Sequence, residues 1–366
     1  MAHLTCGFIG LGLIGGSIAK ALKQSDAAIK IIAFDTNKDT LLLAHKEGVA
    51  DIITEQMDEN FSQCDYLFLC APVQKNNSNL SSIKEITNPH CLITDVGSVK
   101  TAIHEAICSF GLESRFIGGH PMAGSERMGY INSKASLLEN AYYILTPTAS
   151  VPGTKLEEYR NLVLAMGAIP LVLDYRKHDY VTAAISHLPH VIASSLVNLI
   201  HDSDSEDGIM KMVAAGGFKD ITRIASSSAQ MWQQICLTNG SNISSLLTEY
   251  IKTLMFFQKA IEEGDETVLY QLFDGARIYR DSFINVSSGP IKSSHRIYVD
   301  IADHAGTLAS VTSLLSDHLL NIKNIGITHN RESEDGILKL EFYDETAMTK
   351  AANVLTQAGY SVTACS

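Results

Sequence analysis

The stretch Leu4-Thr5-Cys6-Gly7-Phe8-Ile9-Gly10-Leu11-Gly12-Leu13-Ile14-Gly15-Gly16-Ser17 decides how the chain starts to fold. Leu4 to Ile9 is a short apolar run that reads as a buried strand. Gly10, Gly12 and Gly15 follow at once, and a helical pattern continues through Ala19, Leu22 and Lys23. In this strand, glycine turn and helix, the first glycine permits the tight turn and the second lets backbone approach a pyrophosphate. The third lets the helix pack on the strand. Leu13 and Ile14, where the helix opens, belong to the same cradle. A second strand, Ile29 to Phe34, ends in Asp35, twenty residues after Gly15. A carboxylate there accepts both ribose hydroxyls and repels a 2′-phosphate. No Arg follows Asp35, so the pattern favours NAD over NADP.

At 366 residues the chain suits two or three domains, and a hydrophobic content of 46% is that of a globular protein. The net charge of −12 argues against a nucleic-acid footprint and against attraction to anionic lipid, both of which need a basic face. The seven cysteines contain no CxxC pair and several sit in strand-like runs, as expected for buried thiols in a reducing cytoplasm. No basic-then-apolar leader is read before Leu4, and no apolar run is read as long enough to span a bilayer. The expectation is a cytoplasmic protein.

The alternation of strands and helices continues. Asp65 to Val73 and Cys91 to Lys100 each read as a strand ending in a turn, so Ala71, Pro72, Val73, Asp95 and Ser98 should line a cofactor cleft at the carboxyl ends of the strands. Ser98 is equally a candidate N-cap for the helix beginning near Lys100, and the two roles are compatible. The next strand is expected to end at Gly118-Gly119 and to open into a loop carrying His120, Pro121 and Gly124. The glycines would let backbone approach a ligand, and His120 has the side chain whose ordinary pKa lies near neutrality. Taken alone, His120 reads just as well as a turn residue bonded to local backbone. Tyr142 to Thr146 and Ile169 to Asp174 are expected to complete the sheet, closing a first domain at residue 174.

From Tyr175 to about Ser287 helical patterns replace strands. The run from His178 to Leu196 is apolar almost all round, which suits a helix in a subunit interface. His187 and His190, three apart, project from nearly one face, and Pro189 should kink or reset the helix. A metal site would need a third ligand, and none is evident nearby. Further on, Arg223 offers a planar fork suited to a carboxylate, although Asp220 stands three residues before it on the same face. Trp232, the only tryptophan, suits helix packing.

Five motifs occur in one order: Gly10-x-Gly12-x-x-Gly15, Asp95-x-Gly97-Ser98-x-Lys100, Gly119-His120-Pro121-Met122-x-Gly124, Ser186-His187-Leu188-Pro189-His190 and Gly217-Phe218-x-Asp220-x-x-Arg223. Together they resemble the prephenate dehydrogenase family of tyrosine biosynthesis over roughly residues 4 to 285. The resemblance implies an NAD-dependent oxidative decarboxylation of prephenate to 4-hydroxyphenylpyruvate. His120 would be the catalytic base on the ring 4-hydroxyl, and Ser98 would support that hydroxyl and the nicotinamide. Arg223 would hold a substrate carboxylate, Ser186, His187 and His190 would line the pocket, and Trp232 would lie near the seam of a homodimer. No metal is implied. Arogenate dehydrogenase shares these motifs and is the nearest alternative. A phosphoglycerate dehydrogenase type would carry its glycine fingerprint in mid-chain. A sensor that binds NAD and an amino acid without turnover would have little use for Ser98, His120 and Arg223 together.

Beyond a small, polar linker around residues 285–290, the order β-α-β-β-α-β over about seventy residues reads as a ferredoxin-like unit. Its turn Asp303-His304-Ala305-Gly306-Thr307-Leu308 and its Asn321-Ile322 pair resemble an ACT domain, which implies an amino-acid site with tyrosine as inhibitor. A purely dimerising role is the alternative. The expected fold is therefore α/β: a Rossmann-like nucleotide-binding domain (1–174), an all-helical dimerisation domain (175–290) and a C-terminal ferredoxin-like ACT domain of α+β type (291–366).

Overall fold

The computed structural model describes residues 4–125, 127–285, 295–302, 304, 306–329 and 335–365. They form two compact units, 1–278 and 279–366.

In the first unit, β1 (Thr5–Ile9), β2 (Lys30–Phe34), β3 (Ile52–Thr54), β4 (Tyr66–Leu69) and β5 (Leu92–Asp95) form a parallel sheet in the order β3-β2-β1-β4-β5. It is crossed by α1 (Leu13–Ser25), α2 (Lys38–Lys46), α3 (Val73–Ile86) and α4 (Thr101–Ser109). Both faces are covered, which is why the strands are apolar runs rather than alternating ones. Phe8 and Phe68 stack at 4.9 Å on one face, with Ile18, Leu22 and Tyr159, while Ile9, Leu67, Leu69, Ile103 and Ile107 fill the other. Fully burying each such side chain contributes about 1.5–3 kcal/mol. Cys6, Cys64 and Cys91 sit in these layers as free, buried thiols, and burial pushes each of them up.

The later strands do not extend this sheet. β6 (Ile117–Pro121), β7 (Tyr142–Pro147) and β8 (Ile169–Val172) form a sheet of their own, antiparallel between β6 and β7, parallel between β7 and β8. An isolated bridge, Ile93 to Phe116, joins it to β5. His120 therefore lies inside a strand, opposite Ile144, and not in a loop beyond it. The glycines before it serve protein packing: a Cβ on Gly119 would meet the Asp95 carbonyl oxygen at 2.6 Å, and one on Gly118 would meet the Thr146 hydroxyl. Their small size lets β6 approach the end of β5.

After α5 (Gly153–Ala165) the chain becomes helical: α6 (Tyr175–Thr182), α7 (Leu188–Ser203), α8 (Ile209–Val213), α9 (Gly216–Thr222), α10 (Ala229–Thr238), α11 (Gly240–Glu262) and α12 (Glu266–Asn285). A π-turn, Ala183–His187, joins α6 to α7, and the Leu188 N–H donates to the Ala183 carbonyl. Pro189 has no N–H to continue the ladder, so the register is reset just ahead of it without a break. The merged helix Tyr175–Ser203 is long and apolar enough to cross a membrane by length and composition. This corrects the expectation that no run is. The helix carries His178, Asp179 and His187 in one polar network, with His190 stacked on Trp232 beside it, as described below. Among the described residues, α11 and α12 expose Leu254, Met255, Phe256, Ile261, Tyr270 and Phe273.

The second unit consists of β9 (His295–Ala302), α13 (Thr307–Asp317), β10 (Ile322–His329), β11 (Asp335–Phe342), α14 (Glu345–Gln357) and β12 (Val362–Cys365). Its antiparallel sheet has the order β10-β11-β9-β12, with Val299, Leu340, Phe342, Val311 and Leu355 among its core residues. Gly306 caps α13 with φ +98°, a left-handed position that favours glycine, and Thr307 and His304 are hydrogen-bonded at 2.9 Å. Asp303 and Ala305, and the linker from residue 286, lie outside the described residues.

Candidate active site

The glycine turn fits a dinucleotide. Gly10 has φ +96°, and a Cβ there would press on the Ala71 nitrogen. A Cβ on Gly15 would meet the Gly10 carbonyl oxygen at 2.6 Å, so this glycine brings α1 onto the turn. At Gly12 nothing lies within 4 Å, and α1 starts there with no side-chain cap. An open backbone at an uncapped helix N-terminus is what a pyrophosphate requires. Asp35 closes β2 and accepts from the Leu11 N–H at 2.7 Å and the Asn37 N–H at 2.8 Å. The acidic residue thereby also braces the turn. Ala71, Pro72 and Val73 link β4 to α3, and the buried Asn76 amide donates to the Leu69 and Ala71 carbonyls.

Asp95 and Ser98 differ in placement. The Asp95 carboxylate is buried and accepts from the N–H groups of Gly97 (2.9 Å) and Gly119 (3.3 Å) and from the Lys100 ammonium. It works inside the protein, behind the cleft wall. Ser98 is partly exposed in the loop after β5 and does not cap α4. The start of that helix is satisfied instead by Asp179, which accepts from the Lys100 N–H at 2.7 Å and the Thr101 N–H at 2.8 Å.

His120 Nδ1 lies 2.8 Å from His178 Nε2, and His178 Nδ1 lies 2.8 Å from the Asp179 carboxylate. Burial holds His120 well below its ordinary pKa, and the neighbouring His178, Lys100 and His187 disfavour its protonation further. His178 is also lowered, burial outweighing the pull of Asp179. Both rings are neutral near pH 7.

A second part of the site adjoins through Asn239, whose amide donates to the Asp179 backbone carbonyl at 2.8 Å and to His187 Nδ1 at 3.1 Å. Burial lowers His187 to about 4. Its ring meets Trp232 edge-on at 5.9 Å, and the His190 ring lies over the same indole at 3.6 Å. His190 donates from Nδ1 to the Ser186 carbonyl at 2.9 Å, and the Arg223 charge disfavours its protonation. Trp232 Nε1 is buried with no partner among the described residues. The structure thus connects His120, Ser186, His187, His190, Trp232 and Arg223, although they come from four separate segments. Sequence reasoning missed His178 and Asp179 as partners of His120, and it missed Asn239. The dipeptide was legible only as the start of a helix, and Asn239 gave no signal.

Residues 18–171 match the family model described as "Prephenate dehydrogenase, nucleotide-binding domain", and residues 174–275 match "Prephenate dehydrogenase, dimerization domain". The chain belongs to the prephenate dehydrogenase family. A prephenate dehydrogenase of Bacillus subtilis (strain 168) is 36% identical over 345 residues, which is 93% of each chain. One of Lactococcus lactis subsp. cremoris is 32% identical over 96% of this chain and 97% of its own. The crystal structure of an Aquifex aeolicus prephenate dehydrogenase in complex with hydroxyphenyl propionate and NAD+ superposes with a TM-score of 0.73 at 30% identity, covering 77% of this chain and 99% of that one. Membership makes the protein an NAD-dependent oxidoreductase, in keeping with the fit of the glycine turn.

Proposed function

We propose that the chain converts prephenate to 4-hydroxyphenylpyruvate with His120 as the base. The observation that carries this is the state of His120: a neutral imidazole whose Nδ1 is engaged by His178, with no other hydrogen bond to the ring among the described residues. NAD, when bound, accepts the hydride from the ring carbon bearing the hydroxyl. His120 Nε2 takes the proton of that hydroxyl as the hydride departs, and Ser98 donates a supporting hydrogen bond. Arg223 grips a carboxylate, most simply that of the ring, and His187 and His190 close the pocket against Trp232. The ring carboxylate is lost as CO2 and the ring becomes aromatic, so the step runs one way. A buried indole N–H without a partner suits a substrate oxygen.

Trp232 and the exposed apolar side chains of α11 and α12 fit a homodimer built on the helical domain, with 1–174, 175–290 and 291–366 as the three domains of each subunit. The last is read as an ACT domain, its Gly306 turn and Asn321-Ile322 pair forming a site where tyrosine inhibits. Spectrophotometric assay of NADH formation with prephenate and with arogenate tests the substrate assignment, and faster turnover of arogenate would overturn it. Tyrosine titration of the full chain and of a chain ending near residue 290 tests the regulatory part. Equal inhibition of both would remove the C-terminal unit from it.

A further inference from the structure

We propose that His178, oriented by Asp179, is the positioning residue that holds the proton of His120 on Nδ1 and so leaves Nε2 free to act as the base. The proposal rests on the reading of His120 as base and adds to it the device that makes the ring competent.

The argument follows the donors. Asp179 is buried, and its carboxylate accepts from the Lys100 and Thr101 N–H groups and from the His178 ring. Burial pushes this carboxyl up, but the hydrogen bonds from His178, Thr101 and Lys100 together hold it below its ordinary pKa, so it is ionised. A carboxylate only accepts, so His178 Nδ1 carries the hydrogen. His178 is neutral, hence its Nε2 carries a lone pair and is an acceptor. His120 Nδ1, 2.8 Å away, must then be the donor, which leaves the lone pair of His120 on Nε2. With the opposite tautomer Nε2 would bear a hydrogen and could take no proton from a substrate hydroxyl. When His120 does take that proton it becomes an imidazolium whose Nδ1–H still points at His178, with the Asp179 charge behind it. No second proton transfer is needed.

The chain of three crosses two structural layers. His120 belongs to β6, whereas His178 and Asp179 lie on the first helix of the helical part. Asp179 reaches back to satisfy the N-terminus of α4, immediately after the loop that carries Ser98. One carboxylate therefore holds the cofactor-side loop and sets the tautomer of the base. The other charged or titratable groups acting on the pair are Lys100, Asp95 and His187.

The test uses the full-length enzyme. Histidine 15N NMR reports which ring nitrogen carries hydrogen, and His120→Asn assigns the signal by removing it. The wild type should show His120 hydrogenated at Nδ1. His178→Leu, with no acceptor, should move the hydrogen to Nε2 and lower kcat by about 10²-fold or more, leaving KM for prephenate and Kd for NAD within about threefold. His178→Gln keeps an amide oxygen that can accept and should recover at least about a tenth of the wild-type rate. A wild-type spectrum with hydrogen on Nε2 overturns the proposal even if the variants fail to fold. So does a His178→Leu enzyme with kcat within twofold of wild type. If His120→Asn is itself fully active, it is the base assignment that has failed.

Discussion

The Lys100 ammonium donates to the carbonyl oxygen of Gly119 at 2.7 Å, one residue before His120, while it pairs with the buried Asp95. A fully buried lysine thus ties the end of β5 to the strand that carries the base. Removing one partner of a buried pair strands the other charge.

Lys100→Met should therefore destabilise the enzyme by about 3–5 kcal/mol, because the Asp95 carboxylate loses its counter-charge. Urea unfolding at pH 7 measures this. A loss below about 1 kcal/mol would show that the pair adds little, and Lys100→Met with Asp95→Asn should recover part of the loss.

His120→Asn should cut kcat by roughly 10²- to 10⁴-fold with little change in KM. The pH profile supplies an independent check. Burial and nearby positive groups lower the His120 pKa, so the neutral base persists to lower pH than an ordinary histidine would allow. In the wild type kcat/KM should stay flat as pH falls through 6.5 and drop only well below it. An inflection at or above pH 6.5, or an unchanged acidic limb in His120→Asn, would contradict the assignment.

Arg223→Ala should act on KM for prephenate, by about 2–3 kcal/mol, since a charge-assisted contact to a carboxylate is lost. Steady-state kinetics decide it, and a KM within twofold of wild type would exclude the role.

Stability should fall with acid before the carboxylates matter. His104 and His187 are lowered to about 4, chiefly by burial, whereas in the unfolded chain they titrate near 6.5. Between these values the unfolded state binds more protons, so stability rises with pH across the window and is lost as pH falls from about 6.5 to 4. Each histidine contributes up to about 1.4 kcal/mol per pH unit. His104 is bonded to Thr146 and stacked on Tyr175, so His104→Asn should flatten the slope of unfolding free energy against pH. An unchanged slope would refute this.

Gly119→Ala should destabilise by about 1–3 kcal/mol and depress kcat as well, because the added methyl meets the Asp95 backbone and must displace β6 with its histidine. A crystal structure of the variant with β6 unmoved and kcat intact would remove the glycine from this role.

Much was legible in local sequence because the relevant physics is local. The Gly10 turn and its following helix, the apolar runs of β1, β2, β4 and β5, and Asp35 at the end of β2 all depend on neighbours in the chain. So does the change to helical periodicity after residue 174. The His120 and Arg223 motifs could be singled out by residue type and by the family pattern.

What the chain could not show by itself is which distant groups meet. That β6, β7 and β8 leave the parallel sheet depends on pairing partners, and apolar alternation reads the same in either sheet. That Asp179, and not Ser98, caps α4 depends on two elements nearly eighty residues apart. The partner of His120 lies fifty-eight residues downstream. A histidine and an aspartate opening an apolar helix carry no mark of that contact. Local patterns determined the elements and the candidate base, while the proton held on that base was decided by packing one helix against a strand, because hydrogen-bond direction follows from which donors and acceptors the tertiary fold brings within reach.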